Sequence, residues 1–168
     1  GEEVTASEQL AAYASIVWPQ GALVEVRPLP VAKGESLPGW VKRRWVLAEA
    51  VPTLHEELRI ENEEGMAQLY AGVLPRRGDG LSGNENCDAG KVVWMDADGW
   101  TPEEAKQRLA DAGLPAPSLL INSGHGAHAY WQLNGLCFPE RLSKLVGDIA
   151  RKAGSDIAVA NAERIMRL

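Results

Sequence analysis

Two carboxylates follow an apolar run near the middle of the chain. Asp96 and Asp98 end the segment VVWMDADG, residues 92–99. Side chains alternate along a strand, so both carboxylates face the same side, with Cα atoms roughly 6.5 to 7 Å apart. Two such carboxylates repel unless a cation lies between them, and hard oxygen ligands suit Mg²⁺ or Mn²⁺. The spacing therefore predicts a metal site, with a polar turn at the end of a strand as the alternative.

A second segment, SGHGAHAYW at residues 123–131, combines glycines with a histidine. Backbone N–H groups near Gly124 and Gly126 can approach an anion closely, and a turn of this kind can form a nest for phosphate. His128 begins a predicted strand, where its imidazole can donate to a triphosphate or balance charge beside metal ions. A tight hairpin with a solvent-facing histidine is the alternative, and we expect His125 at the tip to be exposed.

A third acid, Asp156, follows the predicted helix stop at Gly154 and precedes the apolar segment 157–159. An acid between a helix end and a short β-prone segment can rejoin a sheet next to Asp96. Taken alone, this residue indicates little.

The charge balance limits contacts with nucleic acid. The chain has 17 Lys plus Arg against 23 Asp plus Glu, a net charge of -6, which argues against broad clamping of a phosphate backbone. Any such contact must be local. The basic runs Lys42-Arg43-Arg44 and Arg76-Arg77 can hold phosphate, although a solvated face is the commoner explanation of each.

The cysteine content and the absence of long apolar stretches indicate the cellular compartment of the protein. Cys87 and Cys137 are the two cysteines and have no metal-binding spacing, so we expect reduced thiols in a cytoplasmic protein. No apolar stretch approaches the roughly 18 to 20 residues of a membrane span. We expect no membrane partner.

The elements that must position these residues alternate in type. Helical periodicity and capping residues predict helices over about 7–17, 52–61, 101–112 and 139–153. Apolar β-prone runs predict strands over about 22–29, 41–47, 66–73, 91–98, 118–122 and 127–133. Segment 76–90, rich in Gly, Asn and Asp, is predicted to be a long surface loop.

Strands joined by a glycine hairpin, with helices between others, indicate an α+β fold with a mixed or antiparallel sheet covered by helices. At 168 residues we expect a single domain. Because the chain starts at Gly1 and stops at Arg167-Leu168, we expect a catalytic core excised from a longer protein.

The order of these motifs resembles the archaeo-eukaryotic primase superfamily, and more closely the primase-polymerases of plasmids, phages and other mobile elements. The resemblance takes in the LYAGVLPR segment at 69–76, the two acids, the Ser-Gly-x-Gly-x-His strand, the lone acid and the final Arg-x-x-Arg-Leu. It covers roughly residues 66–168. That part is then the metal-binding, RRM-like unit, and residues 1–65 are compatible with the N-terminal αβ unit of the family.

The resemblance implies a role for each acid and for the histidine. Asp96, Asp98 and Asp156 would hold two metal ions, Mg²⁺ or Mn²⁺, and His128 would touch the phosphates of the incoming nucleotide. Many members carry a serine where this chain has Gly126, so a hydroxyl contact to phosphate must come from Ser123 or be absent.

We therefore expect a DNA primase and polymerase that carries out template-directed nucleotidyl transfer from nucleoside triphosphates on single-stranded DNA. His128, the Gly124 to Gly126 backbone and Arg76 or Arg167 would position the triphosphate. In the full-length protein a helicase or another replication domain is an expected partner. Trp94 and Trp131 are predicted to pack in the core.

Two other functions fit parts of the sequence. A nucleotide-sugar glycosyltransferase can use an Asp-x-Asp pair to hold a metal and a diphosphate, but it does not account for the Gly-x-Gly-x-His strand. A non-catalytic RRM-like module would bind single strands without metal.

Overall fold

The computed structural model describes residues 5–168. Two antiparallel sheets and five α-helices share one hydrophobic core in this range. The helices are α1 Ala6–Val17, α2 Val51–Glu57, α3 Arg59–Glu64, α4 Pro102–Asp111 and α5 Pro139–Ala153. The strands are β1 Leu23–Pro30, β2 Arg44–Leu47, β3 Ala67–Gly72, β4 Gly90–Asp98, β5 Leu119–Asn122, β6 Gly126–Cys137 and β7 Ile165–Arg167. The predicted α+β class is confirmed.

Side-chain caps begin α1 and α4 where the sequence places a threonine three residues before a glutamate. The hydroxyl of Thr5 accepts a hydrogen bond from the Glu8 N–H at 3.1 Å, and Thr101 accepts from Glu104 at the same distance. These bonds satisfy N–H groups that the first turn of a helix leaves free. Helix α5 ends at Gly154, whose φ of 76° is the left-handed conformation that glycine adopts readily.

The first sheet has the strand order β2-β1-β3-β7. Along β1 the buried Val24 and Val26 face the helices, and the alternating residues Glu25 and Arg27 lie on the other face. Strands β3 and β7 both follow residue 65, so this sheet takes its strands from both parts of the sequence.

The second sheet has the order β4-β6-β5, with α4 and α5 packed on it. A tight connection at 123–125 joins β5 to β6, as the glycines predict. Trp94 and Trp131 are buried in the core, as predicted. No helix in residues 5–168 is long and apolar enough to cross a membrane.

Helix α1 ties the two sheets together. The hydroxyl of Tyr13 donates to the hydroxyl of Tyr130 on β6 at 3.0 Å, and Trp18 at the end of the helix donates to the Gly72 carbonyl on β3 at 2.9 Å. Both tyrosines are buried, and burial raises the pKa of Tyr13 to about 12 against the lowering effect of the Tyr130 hydrogen bond. The tyrosine pair is therefore neutral at physiological pH.

Two predicted elements differ from the structure. Instead of one helix over 52–61, a break at Leu58 separates α2 from α3. The apolar segment Ile157–Val159 forms a 3-10 turn rather than extended chain, because the Asp156 carboxylate accepts from the Ala158 N–H at 2.9 Å and caps it.

Candidate active site

The centre of the site is a cross-strand pair in the second sheet. The register of β4 and β6 places Asp96 directly opposite His128, and both side chains are largely buried. His128 Nε2 lies 3.4 Å from Asp96 Oδ1. On the other side, Arg164 Nη2 lies 3.3 Å from Asp96 Oδ2. The carboxylate is therefore flanked by an imidazole and a guanidinium.

These neighbours set the charge of Asp96. Burial acts to raise the pKa of its carboxyl group, but the nearby His128 and Arg164 outweigh burial and hold that pKa below its ordinary value. Asp96 is thus ionised at neutral pH in a largely dry environment.

One oxygen of this carboxylate is left without a donor. Asp96 Oδ1 is buried and accepts no hydrogen bond of acceptable geometry, although His128 Nε2 lies 3.4 Å away. An ionised oxygen in this position is costly unless a donor or a cation reaches it. This oxygen without a hydrogen bond is therefore a suitable hard ligand for a divalent cation.

Asp98 ends β4 opposite Gly126 and is exposed to solvent. It lines the same cleft as Asp96 and His128, and this cleft has a volume of about 230 Å³. The cleft lies between the two sheets, because Tyr70 of β3 and Arg167 of β7 form its other wall. Asp96, Asp98 and His128 thus line the same cleft.

A second, larger cleft adjoins the first at His128 and Arg167. It has a volume of about 460 Å³ and is lined by the 123–124 turn and by the end of β5. Arg167 Nη1 donates to the Ser123 carbonyl at 3.1 Å, which holds the arginine against this turn. The polar side chains that line this cleft are those of Asn122, Ser123, His128 and Arg167.

One of the backbone N–H groups predicted to cradle phosphate already has a partner within the turn. The Gly124 N–H donates to Asn122 Oδ1 at 2.9 Å, and the Ser123 N–H donates to the Gly126 carbonyl at 2.9 Å. Gly126 has a steric role, because a Cβ there would collide with the carbonyl oxygen of Ala97 on β4. A side chain at position 126 would therefore require the contact between β4 and β6 to shift.

The predicted phosphate contact of Arg76 needs correction. Its side chain is fully buried and pairs with the buried Glu25, with Arg76 Nε 3.1 Å from Glu25 Oε1. The remaining nitrogens donate to the carbonyls of Leu74 and Glu163 and to the sulfur of Cys87. Arg76 therefore fixes the 74–87 loop against β1 and is unavailable to a ligand.

Asp156 contacts Asp96 only through a hydrogen bond between their backbones. Its N–H donates to the Asp96 carbonyl at 3.4 Å, while its exposed carboxylate caps the 157–159 turn. Among residues 5–168 no three His, Cys, Asp or Glu side chains are grouped to hold a metal. Asp156 is not among the residues that line the cleft with Asp96 and Asp98.

Sequence reasoning missed two residues of the site. Arg164 contacts Asp96 directly, although in the Arg-x-x-Arg-Leu segment only Arg167 was predicted to have a role. Tyr70 faces the cleft because β3 alternates buried and half-buried residues. The alternation of side chains along the predicted strand could have placed Tyr70 on the face that lines the cleft.

Comparison with known proteins gives a fold but no sequence relative. No protein-family model matches the chain, and no curated protein matches it. Among solved structures, the AEP domain of the primase-polymerase of cyanophage S-2L superimposes with a TM-score of 0.71 at 20% identity. The match covers 96% of this chain and 80% of that one. The chain has the fold of a primase-polymerase domain.

Two structures of the primase RepB′ have the same fold. One is its catalytic domain in complex with initiator DNA, with a TM-score of 0.66, 15% identity, and coverage of 98% of this chain and 76% of that chain. The other gives a TM-score of 0.66 at 16% identity, and there this chain, 96% of which is covered, spans about half (49%) of the chain it matches. The resemblance to mobile-element primase-polymerases that the motifs predict is confirmed at the level of the fold.

Proposed function

We propose that this chain is the catalytic domain of a DNA primase-polymerase, which joins nucleoside triphosphates on a single-stranded DNA template. The observation that carries the proposal is Asp96, an ionised and largely buried carboxylate with one oxygen that accepts no hydrogen bond, in the lining of a cleft shared with Asp98 and His128. In this fold, such a cleft suits phosphate chemistry that depends on a cation.

Asp96 and Asp98 would hold a divalent cation, Mg²⁺ or Mn²⁺, and a third carboxylate would be needed for a second ion. Asp156 fits that role only if its side chain leaves the Ala158 N–H that it now caps. When bound, the ions would polarise the α-phosphate and neutralise the pyrophosphate that leaves.

The chain's own side chains would orient the reactants. Arg164 holds Oδ2 of Asp96, while Oδ1, 3.4 Å from His128 Nε2, keeps no hydrogen-bond partner. His128, Ser123 and Arg167 would bind the triphosphate in the adjoining cleft, and so bring its α-phosphate near the acids for attack by a 3′-hydroxyl.

The partners follow from this chemistry. The RepB′ catalytic domain was solved in complex with initiator DNA, and we propose single-stranded DNA as the template partner of this chain as well. We also propose that residues 66–168 form the metal-binding, RRM-like unit of the domain. A helicase or another replication domain would accompany it in the full-length protein.

The test is product synthesis by the Asp96→Asn variant on single-stranded DNA with Mg²⁺ or Mn²⁺ and either class of nucleotide. We expect a loss of at least about a hundredfold, as for other groups that stabilise transition-state charge. Asp148→Asn, which alters an exposed carboxylate on α5, is the control. An Asp96→Asn variant as active as wild type, with the same thermal unfolding, would refute the proposal.

Binding of single strands without chemistry is a second candidate. It is favoured by one observation, that Asp156 does not join the acids of the cleft in residues 5–168. This candidate predicts no product and a DNA affinity unchanged by a chelator. Catalysis instead predicts that Asp156→Asn lowers the rate of product synthesis.

A further inference from the structure

A row of polar side chains crosses the first sheet on the face away from the helices. Arg27 of β1 lies opposite Tyr70 of β3, and Tyr70 lies opposite Arg167 of β7. Continuing the β1–β2 register one residue past Arg44 brings Arg43 beside Arg27. These four residues, here called the arginine row, span about 14 Å at ~4.8 Å per strand.

A buried carboxylate holds one end of the row in place. Glu25 Oε2 accepts from Arg27 Nε and from Arg43 Nη2, both at 2.8 Å, and its other oxygen pairs with the buried Arg76. Burial acts to raise the pKa of Glu25, but the three arginines lower it below its ordinary value. One negative charge thus faces three positive charges, and this end of the row stays positive.

Arg27 and Arg43 keep N–H donors that a ligand can use. Their side chains remain 27% exposed for Arg27 and 41% for Arg43. A guanidinium has five N–H donors, of which Glu25 takes only part. In residues 5–168 neither arginine pairs with a second carboxylate.

Aromatic rings accompany the cations. Trp45 lies opposite Glu25 on the same face, with the Arg43 guanidinium 5.2 Å from its ring centroid. Its indole N–H donates to the Leu81 carbonyl at 2.9 Å, which fixes the ring. Stacking rings beside cations are typical of surfaces that bind single strands.

The other end of the row enters the candidate active site. Tyr70 and Arg167 form one wall of the cleft that contains Asp96 and Asp98. A strand that follows the row from Arg43 would therefore arrive at the acids.

We propose that the arginine row, with Trp45, binds the single-stranded DNA template and leads it to the cleft. The row deepens the proposed function and rests on it for the identity of the strand as template. Phosphates contact Arg43 and Arg27, and bases stack on Trp45 and Tyr70. An acidic peptide would use the cations but not the rings. With a net charge of -6, the chain can attract phosphate only through such a local surface.

The chain supplies a matched control for the test. Arg44 follows Arg43 directly and is almost equally exposed, at 40%, but it lies opposite the buried Val26 and so on the other face of the sheet. There it pairs with Glu61 at 3.6 Å. Arg43→Ala and Arg44→Ala thus remove the same charge from opposite faces.

Binding of a labelled oligothymidylate would be measured by fluorescence anisotropy at several salt concentrations. For Arg43→Ala we expect an affinity about three- to fivefold weaker, as for loss of one exposed ion pair. The salt slope should fall by about 0.7, as for one phosphate contact on a single strand. Arg27→Gln should act similarly, and Arg44→Ala should bind as wild type.

Equal binding by Arg43→Ala and wild type, an equal loss in Arg44→Ala, or a preference for duplex would overturn the inference. Product synthesis separates it from the proposed function. If wild type makes no product but Arg43→Ala weakens binding, the proposed function fails and the surface stands. If wild type makes product and Arg43→Ala has an unchanged KM for template, the surface is wrong and the proposed function stands.

Discussion

Replacing Glu25 by glutamine tests the buried charge cluster beneath the arginine row. The carboxylate is fully buried and neutralises part of the charge of three arginines. Glutamine has nearly the same volume and keeps one acceptor oxygen, so the change removes charge and leaves packing almost intact. The expected result is a less stable protein in which Arg76 is a buried, uncompensated cation.

The magnitude depends on how far each arginine can reach water. Removing one partner of a fully buried ion pair costs about 3 to 5 kcal/mol, and this applies to Arg76, whose side chain is 0% exposed. Arg27 and Arg43 are partly exposed and can turn to solvent, so each adds well under about 1 kcal/mol. We expect a loss of about 3 kcal/mol, because the glutamine side chain still accepts one hydrogen bond. For a chain of this length that corresponds to a fall in Tm of about 6 to 12 °C.

Urea unfolding at neutral and acidic pH would measure this loss. Because the folded pKa of Glu25 is lowered, its stabilisation is fully present above the unfolded pKa of about 4.3 and is lost as pH falls through the folded pKa. The difference between wild type and Glu25→Gln should therefore shrink in acid. Glu61→Gln, which breaks the half-exposed pair with Arg44, is the control. A loss below about 1 kcal/mol at neutral pH, or one that grows in acid, would refute the reasoning.

Two further variants test the packing that positions the site. Gly126→Ala would place a Cβ against the Ala97 carbonyl oxygen, so we expect the β4–β6 contact to open, with about 1 to 3 kcal/mol of stability lost and product synthesis reduced. Gly135→Ala on the same strand meets no atom within 4 Å and should unfold like wild type, and equal stability of the two variants would contradict the steric role. Tyr13→Phe leaves the buried Tyr130 hydroxyl without its partner and should cost about 1 to 3 kcal/mol in urea unfolding, and no change would mean that this bond does not couple α1 to β6.

Local rules predicted the elements and the facing of the acids. The threonine caps, the glycine stop of α5 and the alternation of β4 each depend on residues a few positions apart. Cross-strand pairing instead depends on residues that are far apart in the sequence. Asp96 and His128 are opposite because β4 pairs with β6 in one register, and neither segment alone specifies that register.

Burial of charge was the main source of error. Arginine is mostly exposed in proteins, so Arg76 after a proline indicated a surface turn open to phosphate. Its buried partner Glu25 is 51 residues earlier in the chain, within the predicted strand 22–29. Only the tertiary packing of the 74–87 loop over β1 reveals that the two charges are enclosed together.

The short strand β7 explains how two sheets make one site. Arg164, just before it, contacts Asp96 of the second sheet, while Arg167, at its end, lies opposite Tyr70 of the first sheet and contacts Ser123. Pairing of β7 with β3 therefore places the guanidinium that lowers the pKa of Asp96 and the one that joins the two clefts. The strand that contributes Arg167 to the arginine row thus also positions Arg164, which helps to keep Asp96 ionised.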